Sequence, residues 1–380
     1  MKIVIVMPAW NEEGNIKRMI EELLANEFPR IEAEMHLLVV GNHSKDKTDE
    51  TVIEASKKYQ NVHFIQQGDK PGLGWAYING MKYAMDTLHA DAVLEMDADF
   101  QHPPQFIKPM ADAFLAGADY CIGSRYIKGG SVPREWALFR KALSYFGNLF
   151  IRLCLLNFKI HDLTTGFRLT RVKGVLDKID LDHLMEPTRF VYKIDLLYQS
   201  IKLAKKVVEV PLEFAPRTEE KSKLASAEAL VTIKVAIILG IKDKIKFIKF
   251  GTVGFTGFLV NFIFLRLCRK IGLPEVAAWF ISTELAIVNN YVFNNIWTFK
   301  EAKIAGLKNT VIKFFQFNLT SAGALAIQSI FGPLGVKLIG VKYDWLVLAF
   351  VVVFLVLPYN YIMYNLVIWK TWKNPFAKKK

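Results

Sequence analysis

The chain has 380 residues, which is enough for two or three domains of ordinary size. Hydrophobic residues make up 52% of it and the mean hydropathy is +0.22, but 22% of the residues are charged, which excludes a chain embedded in a membrane throughout. The formal net charge is +13, and lysines such as Lys242, Lys244 and Lys246 crowd the ends of long apolar segments. This placement favours anionic membrane headgroups over nucleic acid as the partner.

The first half of the sequence alternates strand-like and helix-like segments. Its first apolar run is too short for a secretory signal peptide, so we expect the first domain to stay in the cytoplasm. Helix-like stretches such as IKRMIEELLANEF separate the β-branched runs, and this alternation predicts a mostly parallel sheet covered by helices. The runs are Ile3–Met7, His36–Val40, Val62–Gln66, Ala92–Met96 and Tyr120–Gly123.

Polar or glycine-rich motifs follow four of these five strands. PAWNEEGN follows the first strand, KPGLGWA (residues 70–76) follows the third, DAD follows the fourth, and Arg125 comes directly after the fifth. Two glycines at the start of a helix, as in KPGLGWA, let backbone N–H groups meet an anion. Because ligands of open parallel sheets bind at the carboxyl ends of the strands, the motifs predict one common site.

Asp97 and Asp99 are the most telling pair at that edge. Two carboxylates at i and i+2 just past a strand can share a divalent cation and leave positions open for phosphate oxygens. Gln101 can add a carbonyl oxygen. The alternative is that Asp99 only caps a helix beginning at Pro103 while Asp97 is solvated. The other motifs at the same edge favour the metal site.

Two segments between the halves have helical spacing and basic residues, Pro133–Leu156 and Ala229–Phe250. Each is compatible with an ordinary packed helix or with a helix that lies at the membrane interface.

The second half contains four long apolar segments, which we predict to be four transmembrane helices. Only one of them contains a charged residue, Glu284, which we expect to pack against Asn289, Asn290 or the third span. The segments are Phe250–Leu265, Val276–Phe299, Phe314–Val336 and Trp345–Trp369. NYVFNNIWTF (residues 290–299) is echoed by NYIMYNLVIW (residues 360–369), which implies two hairpins of the same design.

Lysine and arginine counts in the short flanks predict the orientation of these helices. One side of the membrane receives thirteen basic residues, among them Lys249, Lys300 and Lys370, and the other side receives five, among them Arg266 and Lys342. The sequence therefore predicts a multi-pass protein of the cell membrane with the soluble first domain and both termini in the cytoplasm.

At this point the motifs resemble a known family. MPAWNEEGNI, EMDADFQHPP, GSRYIKGG and DLTTGFRL together resemble the family 2 glycosyltransferases that load a sugar onto a polyprenyl phosphate, and most closely the dolichyl-phosphate mannose synthases. VNNYVFNNIWTFK (Val288–Lys300) resembles the GtrA-type four-helix domain. The resemblance implies an α/β GT-A fold with a mostly parallel sheet, followed by an all-α domain of four transmembrane helices.

The implied domain organisation has four parts. Residues 1–224 form a cytoplasmic GT-A domain, with 133–157 as a candidate interfacial helix. Residues 225–246 form an interfacial connecting helix, residues 247–372 the GtrA-like membrane domain, and residues 373–380 a basic cytoplasmic tail.

The resemblance also assigns roles to individual residues. The implied ligands of Mg²⁺ or Mn²⁺ are Asp97, Asp99 and Gln101. The implied nucleotide-sugar site comprises Pro8, Trp10, Glu12, Asn42, Asp97, Ala98, Asp99, Arg217 and Lys223. The implied acceptor-phosphate site comprises Arg125, Arg140 and Ser144, and the residues implied in catalysis are Asp97, Asp99 and Arg125. For Asp162, a structural role in a turn is the preferred interpretation.

Two positions depart from the family pattern. Gly41 and Asn42, in VVGNHS, stand where an acidic pair is usual, which affects recognition of the base or ribose. Glu220 replaces the glycine that is customary in the loop that closes over the donor.

The implied activity is inverting, metal-dependent transfer of one sugar to a polyprenyl or dolichyl phosphate at the cytoplasmic face of the membrane. GDP-mannose is the favoured donor. UDP-glucose or another UDP-hexose is an alternative donor, and a non-catalytic translocator or scaffold for lipid-linked sugars is an alternative function. A processive polysaccharide synthase is disfavoured because the additional acceptor motifs of such enzymes are not found. The implied partners are the donor, the lipid phosphate and the bilayer, with no nucleic acid.

Overall fold

The structure is a computed structural model that describes residues 1–216 and 226–372. The chain divides into two compact units, Met1–Ile241 and Lys242–Lys380. The domain boundaries predicted at residues 224, 246 and 372 stay predictions, and the predicted tail 373–380 lies outside the described residues.

The first unit is built on a seven-stranded mixed sheet with the strand order β3-β2-β1-β4-β6-β5-β7. All neighbouring strands run parallel except β6, which is antiparallel to both β4 and β5. The strands are β1 (Lys2–Ala9), β2 (Glu34–Gly41), β3 (Val62–Gln66), β4 (Ala92–Glu95), β5 (Tyr120–Ser124), β6 (Arg168–Arg171) and β7 (Val207–Pro211). The mostly parallel sheet and the five predicted strands are confirmed, whereas β6 and β7 were missed.

Both faces of the sheet are buried. Ile3, Ile5 and Met7 of β1 pack into one core, while Val4 and Val6 pack into a second core on the opposite face. Strands covered on both faces carry continuous apolar runs, which explains the unbroken IVIVM of β1. Each fully buried side chain of this kind contributes about 1.5–3 kcal/mol, so the central strands hold the site rigidly.

Within residues 1–216, six α-helices accompany the sheet. They are α1 (Glu13–Glu22), α2 (Thr48–Lys58), α3 (Leu73–Asp86), α4 (Ile107–Leu115), α5 (Leu138–Leu155) and α6 (Tyr192–Leu203). A π-helical turn, Leu23–Glu27, extends α1. The predicted segment Pro133–Leu156 corresponds to α5, which begins five residues later than predicted.

The second unit is helical. Its helices are α7 (Ser226–Lys270), which begins in the first unit, α8 (Glu275–Phe293), α9 (Leu307–Ile339), α10 (Asp344–Phe350) and α11 (Leu357–Met363). π-helical turns cover Asn294–Thr298, Val351–Val356 and Tyr364–Ile368. The predicted connecting helix and the first predicted span thus belong to one continuous helix, α7.

Within the described residues, three helical stretches are long and apolar enough to cross a membrane: Lys244–Lys270, Val276–Thr298 and Val351–Ile368. They correspond to the first, second and fourth predicted spans. The third predicted span lies within α9, where only the shorter stretch Ile330–Ile339 is classed as apolar. The count of four spans is therefore not confirmed.

The two echoed segments occupy equivalent places in the second unit. Phe299 and Trp369, which end the two echoes, stack with ring centroids 4.4 Å apart and 12° between their planes. Asn295 and Asn365 are both buried, and each lies in a five-residue π-helical turn. The structure thus supports the two-hairpin repeat. The role predicted for Glu284 stays a prediction.

Candidate active site

A cavity of about 1270 Å³ lies at the carboxyl ends of the central strands of the first unit. Eleven of the thirteen predicted site residues line it: Pro8, Trp10, Glu12, Asn42, Asp97, Ala98, Asp99, Gln101, Arg125, Arg140 and Ser144. The other two, Arg217 and Lys223, lie outside the described residues, as does Glu220. Strand ends that are distant in sequence are therefore brought together as the motifs predicted.

Asp97 and Asp99 lie in a tight loop directly after β4. Asp99 is 7% exposed, and its Oδ1 accepts a hydrogen bond of 3.1 Å from the backbone N–H of Gln101. Phe100 between them has φ of +61°, the left-handed conformation that closes the turn. The short helix after the loop has Pro103 at its N-cap, and the N–H bonded to Asp99 belongs to Gln101, which precedes that helix. A capping role of Asp99 stays the alternative.

The chemistry of this loop fits a hard divalent cation. Asp97 and Asp99 supply carboxylate oxygens, and buried Gln101 supplies an amide beside them. Oxygen donors of this kind suit Mg²⁺ or Mn²⁺. No cluster of three or more His, Cys, Asp or Glu side chains that could hold a metal occurs in residues 1–216 and 226–372. Asp97, Asp99 and Gln101 therefore stay the predicted ligands of the cation.

Arg125 is fixed by a buried, bidentate ion pair with Asp162. Its Nε and Nη2 donate to the two carboxylate oxygens over 2.7 and 2.9 Å, and its backbone N–H donates to the same carboxylate. Asp162 also accepts from the backbone N–H groups of Thr164 and Thr165, each over 3.1 Å. Asp162 is 0% exposed. Its hydrogen bonds fix both Arg125 and the turn at residues 162–165, which agrees with the structural role preferred for Asp162.

Electrostatics keep this pair ionised. Burial alone would raise the pKa of Asp162 and lower that of Arg125, because both charged forms lose hydration. The mutual attraction outweighs burial at both groups, so the pKa of Asp162 is lowered and that of Arg125 is raised. The cavity wall therefore carries a fixed guanidinium.

Arg140 and Ser144 lie one helical turn apart on α5, so they share a face of that helix. The Arg140 guanidinium lies 4.1 Å from the centroid of the Trp136 ring, and Ser144 Oγ is 2.6 Å from the hydroxyl of Tyr126. The same helix exposes large apolar side chains, including 79% of Phe139. The interfacial placement of α5 agrees with this pattern and stays a prediction.

Gly41 lies close to two side chains of β3. A Cβ added there would lie 2.5 Å from Gln66 Oε1 and 2.7 Å from the Phe64 ring, so an acidic side chain at this position would require both side chains to shift. The adjacent Asn42 is half-buried and lines the cavity. A larger residue at position 41 would thus disturb the packing of β2 against these two side chains.

The glycines before α3 serve close packing. Gly72 has φ of +113°, and a Cβ on it would lie 2.5 Å from the carbonyl oxygen of Thr188. A Cβ on Gly74 would lie 2.3 Å from the carbonyl oxygen of Pro187. Gly72 lines the cavity, and the anion contact predicted at this helix start stays a prediction.

A layer of buried side chains beneath Asp97 was not predicted. The Tyr77 hydroxyl donates to Asp97 Oδ1 over 2.6 Å, and His102 Nδ1 accepts from the backbone N–H of Asp97 over 3.1 Å. Burial lowers the pKa of His102 to about 4, so the ring is neutral at physiological pH. The QHPP motif contains His102, but sequence alone did not indicate what the ring contacts.

A second missed group surrounds the Lys193 ammonium, which is fully buried. Lys193 Nζ donates to the carbonyl oxygen of Gly166 over 3.1 Å and lies 3.6 Å from Glu95 Oε1. Burial lowers the pKa of Lys193 against the attraction of Glu95. Arg168 of β6 donates to the carbonyl oxygen of Lys193. Arg168 stands within a quoted motif, whereas Lys193 in α6 carried no signal beyond helical spacing.

Comparison with known proteins agrees with this architecture. The family described as Glycosyl transferase family 2 matches residues 4–177, and the family described as GtrA/DPMS, transmembrane domain, matches residues 249–369. The second match and the three long apolar helices indicate a membrane protein.

Three curated relatives are similar over much of the chain. A dolichol-phosphate mannosyltransferase of Pyrococcus furiosus is 34% identical over 85% of this chain and 88% of its own length. A polyprenol monophosphomannose synthase of Mycolicibacterium smegmatis is 35% identical over 60% of this chain and 82% of its own length. An undecaprenyl-phosphate mannosyltransferase of Micrococcus luteus is 31% identical over 61% of this chain and 93% of its own length. The chain therefore belongs to the family 2 glycosyltransferases and carries a GtrA/DPMS transmembrane domain behind its catalytic domain.

Proposed function

We propose that the protein transfers one mannose from GDP-mannose to a polyprenyl phosphate at the cytoplasmic face of the membrane. The names of all three relatives, which pair mannose with a polyprenyl phosphate, support this choice of substrates. One observation carries the proposal. Asp97 and Asp99 line the same cavity as the basic residues Arg125 and Arg140.

On the donor side, Asp97, Asp99 and Gln101 would hold Mg²⁺ or Mn²⁺. When bound, the cation supplies positive charge to the nucleoside diphosphate as it leaves. Trp10 is half exposed at the cavity and offers a stacking face, and Glu12 is held at the start of α1 because its backbone N–H donates to Thr48 Oγ1 over 2.8 Å. Arg217 and Lys223 complete the proposed donor site.

On the acceptor side, Arg125, Arg140 and Ser144 would bind the lipid phosphate. One phosphate oxygen forms a bond to the anomeric carbon while the bond from that carbon to the diphosphate breaks, and the configuration at the carbon inverts. The phosphate is already anionic at neutral pH, so no general base is required. Fixed cations at the cavity wall stabilise the negative charges on both sides of this displacement.

The lysines and arginines in the loops beside the predicted spans support a cytoplasmic catalytic domain and a fourth span within α9. This arrangement brings the acceptor phosphate to the membrane surface, where the apolar residues of α5 can contact lipid.

A UDP-hexose is the second candidate donor, because Gly41 and Asn42 stand where the family usually has the acidic pair that contacts the base or ribose. Membership of a transferase family disfavours the non-catalytic translocator.

The proposal is tested with the purified full-length protein, a short polyprenyl phosphate, and Mg²⁺ or Mn²⁺. Labelled GDP-mannose and UDP-glucose are supplied in parallel, and the labelled lipid is extracted and quantified. We expect mannosyl-phosphate lipid only with GDP-mannose and only with the cation. Glucosyl lipid alone would replace the donor assignment, and hydrolysis of either donor without lipid product would overturn the acceptor assignment.

A further inference from the structure

The carboxylate of Asp97 is held from the protein interior by a tyrosine. Tyr77 of α3 is 0% exposed, and its hydroxyl donates to Asp97 Oδ1 over 2.6 Å. The Asp97 side chain remains 30% exposed, so the same carboxylate also borders the cavity. One face of Asp97 is thus fixed by the core while the other faces the space where a ligand binds.

Two neighbouring side chains lie close to the Tyr77 ring. The Lys193 ammonium lies 4.0 Å from its centroid, and the Tyr192 ring lies 6.2 Å away. The position of the Lys193 ammonium is fixed, because it donates to the carbonyl oxygen of Gly166 and pairs with Glu95. A cation over the face of an aromatic ring stabilises that arrangement, most of all where water is excluded.

The backbone of Asp97 is fixed independently. His102 Nδ1 accepts the Asp97 N–H, and the His102 ring packs against Phe167 and Phe214 with centroid distances of 5.2 and 5.6 Å. With its main chain fixed in this way, the remaining freedom of Asp97 is rotation of its side chain, which the Tyr77 hydroxyl restricts.

We propose that Tyr77 is a positioning residue that orients the Asp97 carboxylate for a divalent cation. The inference rests on the metal site of the proposed function. Groups that hydrogen-bond to metal ligands orient them, and their removal typically weakens metal binding by about 10- to 100-fold. If Tyr77 were merely a core tyrosine whose hydroxyl needs an acceptor, its loss would affect stability but not metal binding.

Tyr192 provides a matched control for this distinction. It is also 0% exposed, and its hydroxyl also donates to a buried carboxylate, over 3.0 Å, but that carboxylate is Glu95 and not a proposed metal ligand. Tyr77→Phe and Tyr192→Phe each remove one oxygen and keep the ring, so both variants retain the packing on which folding depends.

The test measures Mn²⁺ binding to the full-length protein by electron paramagnetic resonance, with thermal unfolding recorded for each variant. We expect Tyr77→Phe to weaken Mn²⁺ binding about tenfold or more and to raise the Mn²⁺ concentration needed for half-maximal transfer. We expect Tyr192→Phe to bind Mn²⁺ within about twofold of the unmodified protein.

Three results would overturn the inference. Tyr77→Phe binding Mn²⁺ as tightly as the unmodified protein, or more tightly, would show that the hydroxyl does not position Asp97, and would leave the proposed function standing. Equal losses in both variants would assign the effect to general loosening of the core. If the unmodified protein shows no Mn²⁺ binding that is lost in Asp99→Asn, both the metal site and this inference are overturned.

Discussion

At the scale of single residues, the cavity contains two arginines that are held in different ways. Arg125 is immobilised by Asp162, whereas Arg140, near the start of α5, lies against the ring of Trp136, which precedes that helix. A buried guanidinium is tolerated only because its counter-ion is buried with it. The Arg125–Asp162 pair is therefore a structural element of the site as well as a source of charge.

Asp162→Asn should destabilise the catalytic unit strongly, because it leaves Arg125 charged and uncompensated in the interior. We expect a loss of about 3–5 kcal/mol in the free energy of unfolding, measured by chemical denaturation. Asp182→Asn, which removes an exposed partner of Lys82, should cost less than about 1 kcal/mol.

The same pair predicts a dependence on pH. The pKa of Asp162 is lower in the folded protein than in the unfolded chain, so its contribution is fully present above the unfolded pKa of about 3.9 and is lost as the pH falls through the lower folded value. The unmodified protein should lose stability below about pH 4 more steeply than Asp162→Asn does. Parallel acid profiles for the two proteins would contradict this account.

Arg140→Gln should weaken acceptor binding and leave donor binding intact. We expect the KM for polyprenyl phosphate to rise about tenfold, as for the loss of one charge-assisted phosphate contact, with a smaller change in kcat. Lys141→Gln is the control, since Lys141 Nζ donates to the carbonyl oxygen of Arg134. Equal effects of the two variants would mean that general positive charge on α5, and not Arg140, attracts the acceptor.

At the scale of elements, the sequence predicted the strands and helices that have a strong hydrophobic pattern. It missed the elements whose formation depends on tertiary contacts. Five strands with continuous apolar runs were recognised, but β6 reads Arg-Leu-Thr-Arg. Its Arg168 is buried only because partners from other elements surround it. The resemblance named eleven residues that line the cavity, and nine of them stand at or just after strand ends, because parallel strands bring their carboxyl ends together. Tyr77 and Lys193 were missed because, in sequence, they are ordinary positions of α3 and α6.

The start of α3 offers a test of close packing. Gly72→Ala places a Cβ against the backbone of Thr188, whereas Gly117→Ala meets nothing within 4 Å, although both glycines have positive φ. We expect Gly117→Ala to cost about 1 kcal/mol in unfolding free energy and Gly72→Ala clearly more. Gly72→Ala should also slow transfer, since Gly72 and Thr188 line the cavity. Equal costs for the two variants would contradict the close approach.

At the scale of the whole molecule, a catalytic unit is followed by a membrane unit with an internal repeat. Composition and lysine placement predicted this division, but the bounds of the spans depend on how helices continue, and α7 runs through the predicted connection without a break. The number of spans sets the side on which the C-terminal basic residues lie, so it bears directly on the proposed orientation.

Single cysteines in a cysteine-free background test that topology in sealed, right-side-out vesicles. With four spans and a cytoplasmic catalytic domain, Lys270→Cys and Lys342→Cys should react with an impermeant maleimide from outside. Lys303→Cys should react only after permeabilisation. Labelling of Lys303→Cys from outside, or protection of Lys342→Cys, would contradict the four-span arrangement.

The most direct test of the account is mannosyl-lipid formation by Asp99→Asn and Asp112→Asn, compared with the unmodified protein at saturating Mn²⁺. Asp112 forms an exposed pair with Lys108 on α4, so its variant controls for the loss of one carboxylate. We predict that Asp99→Asn lowers the rate by about a hundredfold or more, because several kcal/mol of charge stabilisation are lost, while Asp112→Asn retains full activity. Full activity of Asp99→Asn would contradict the assignment of this cavity as the centre of sugar transfer.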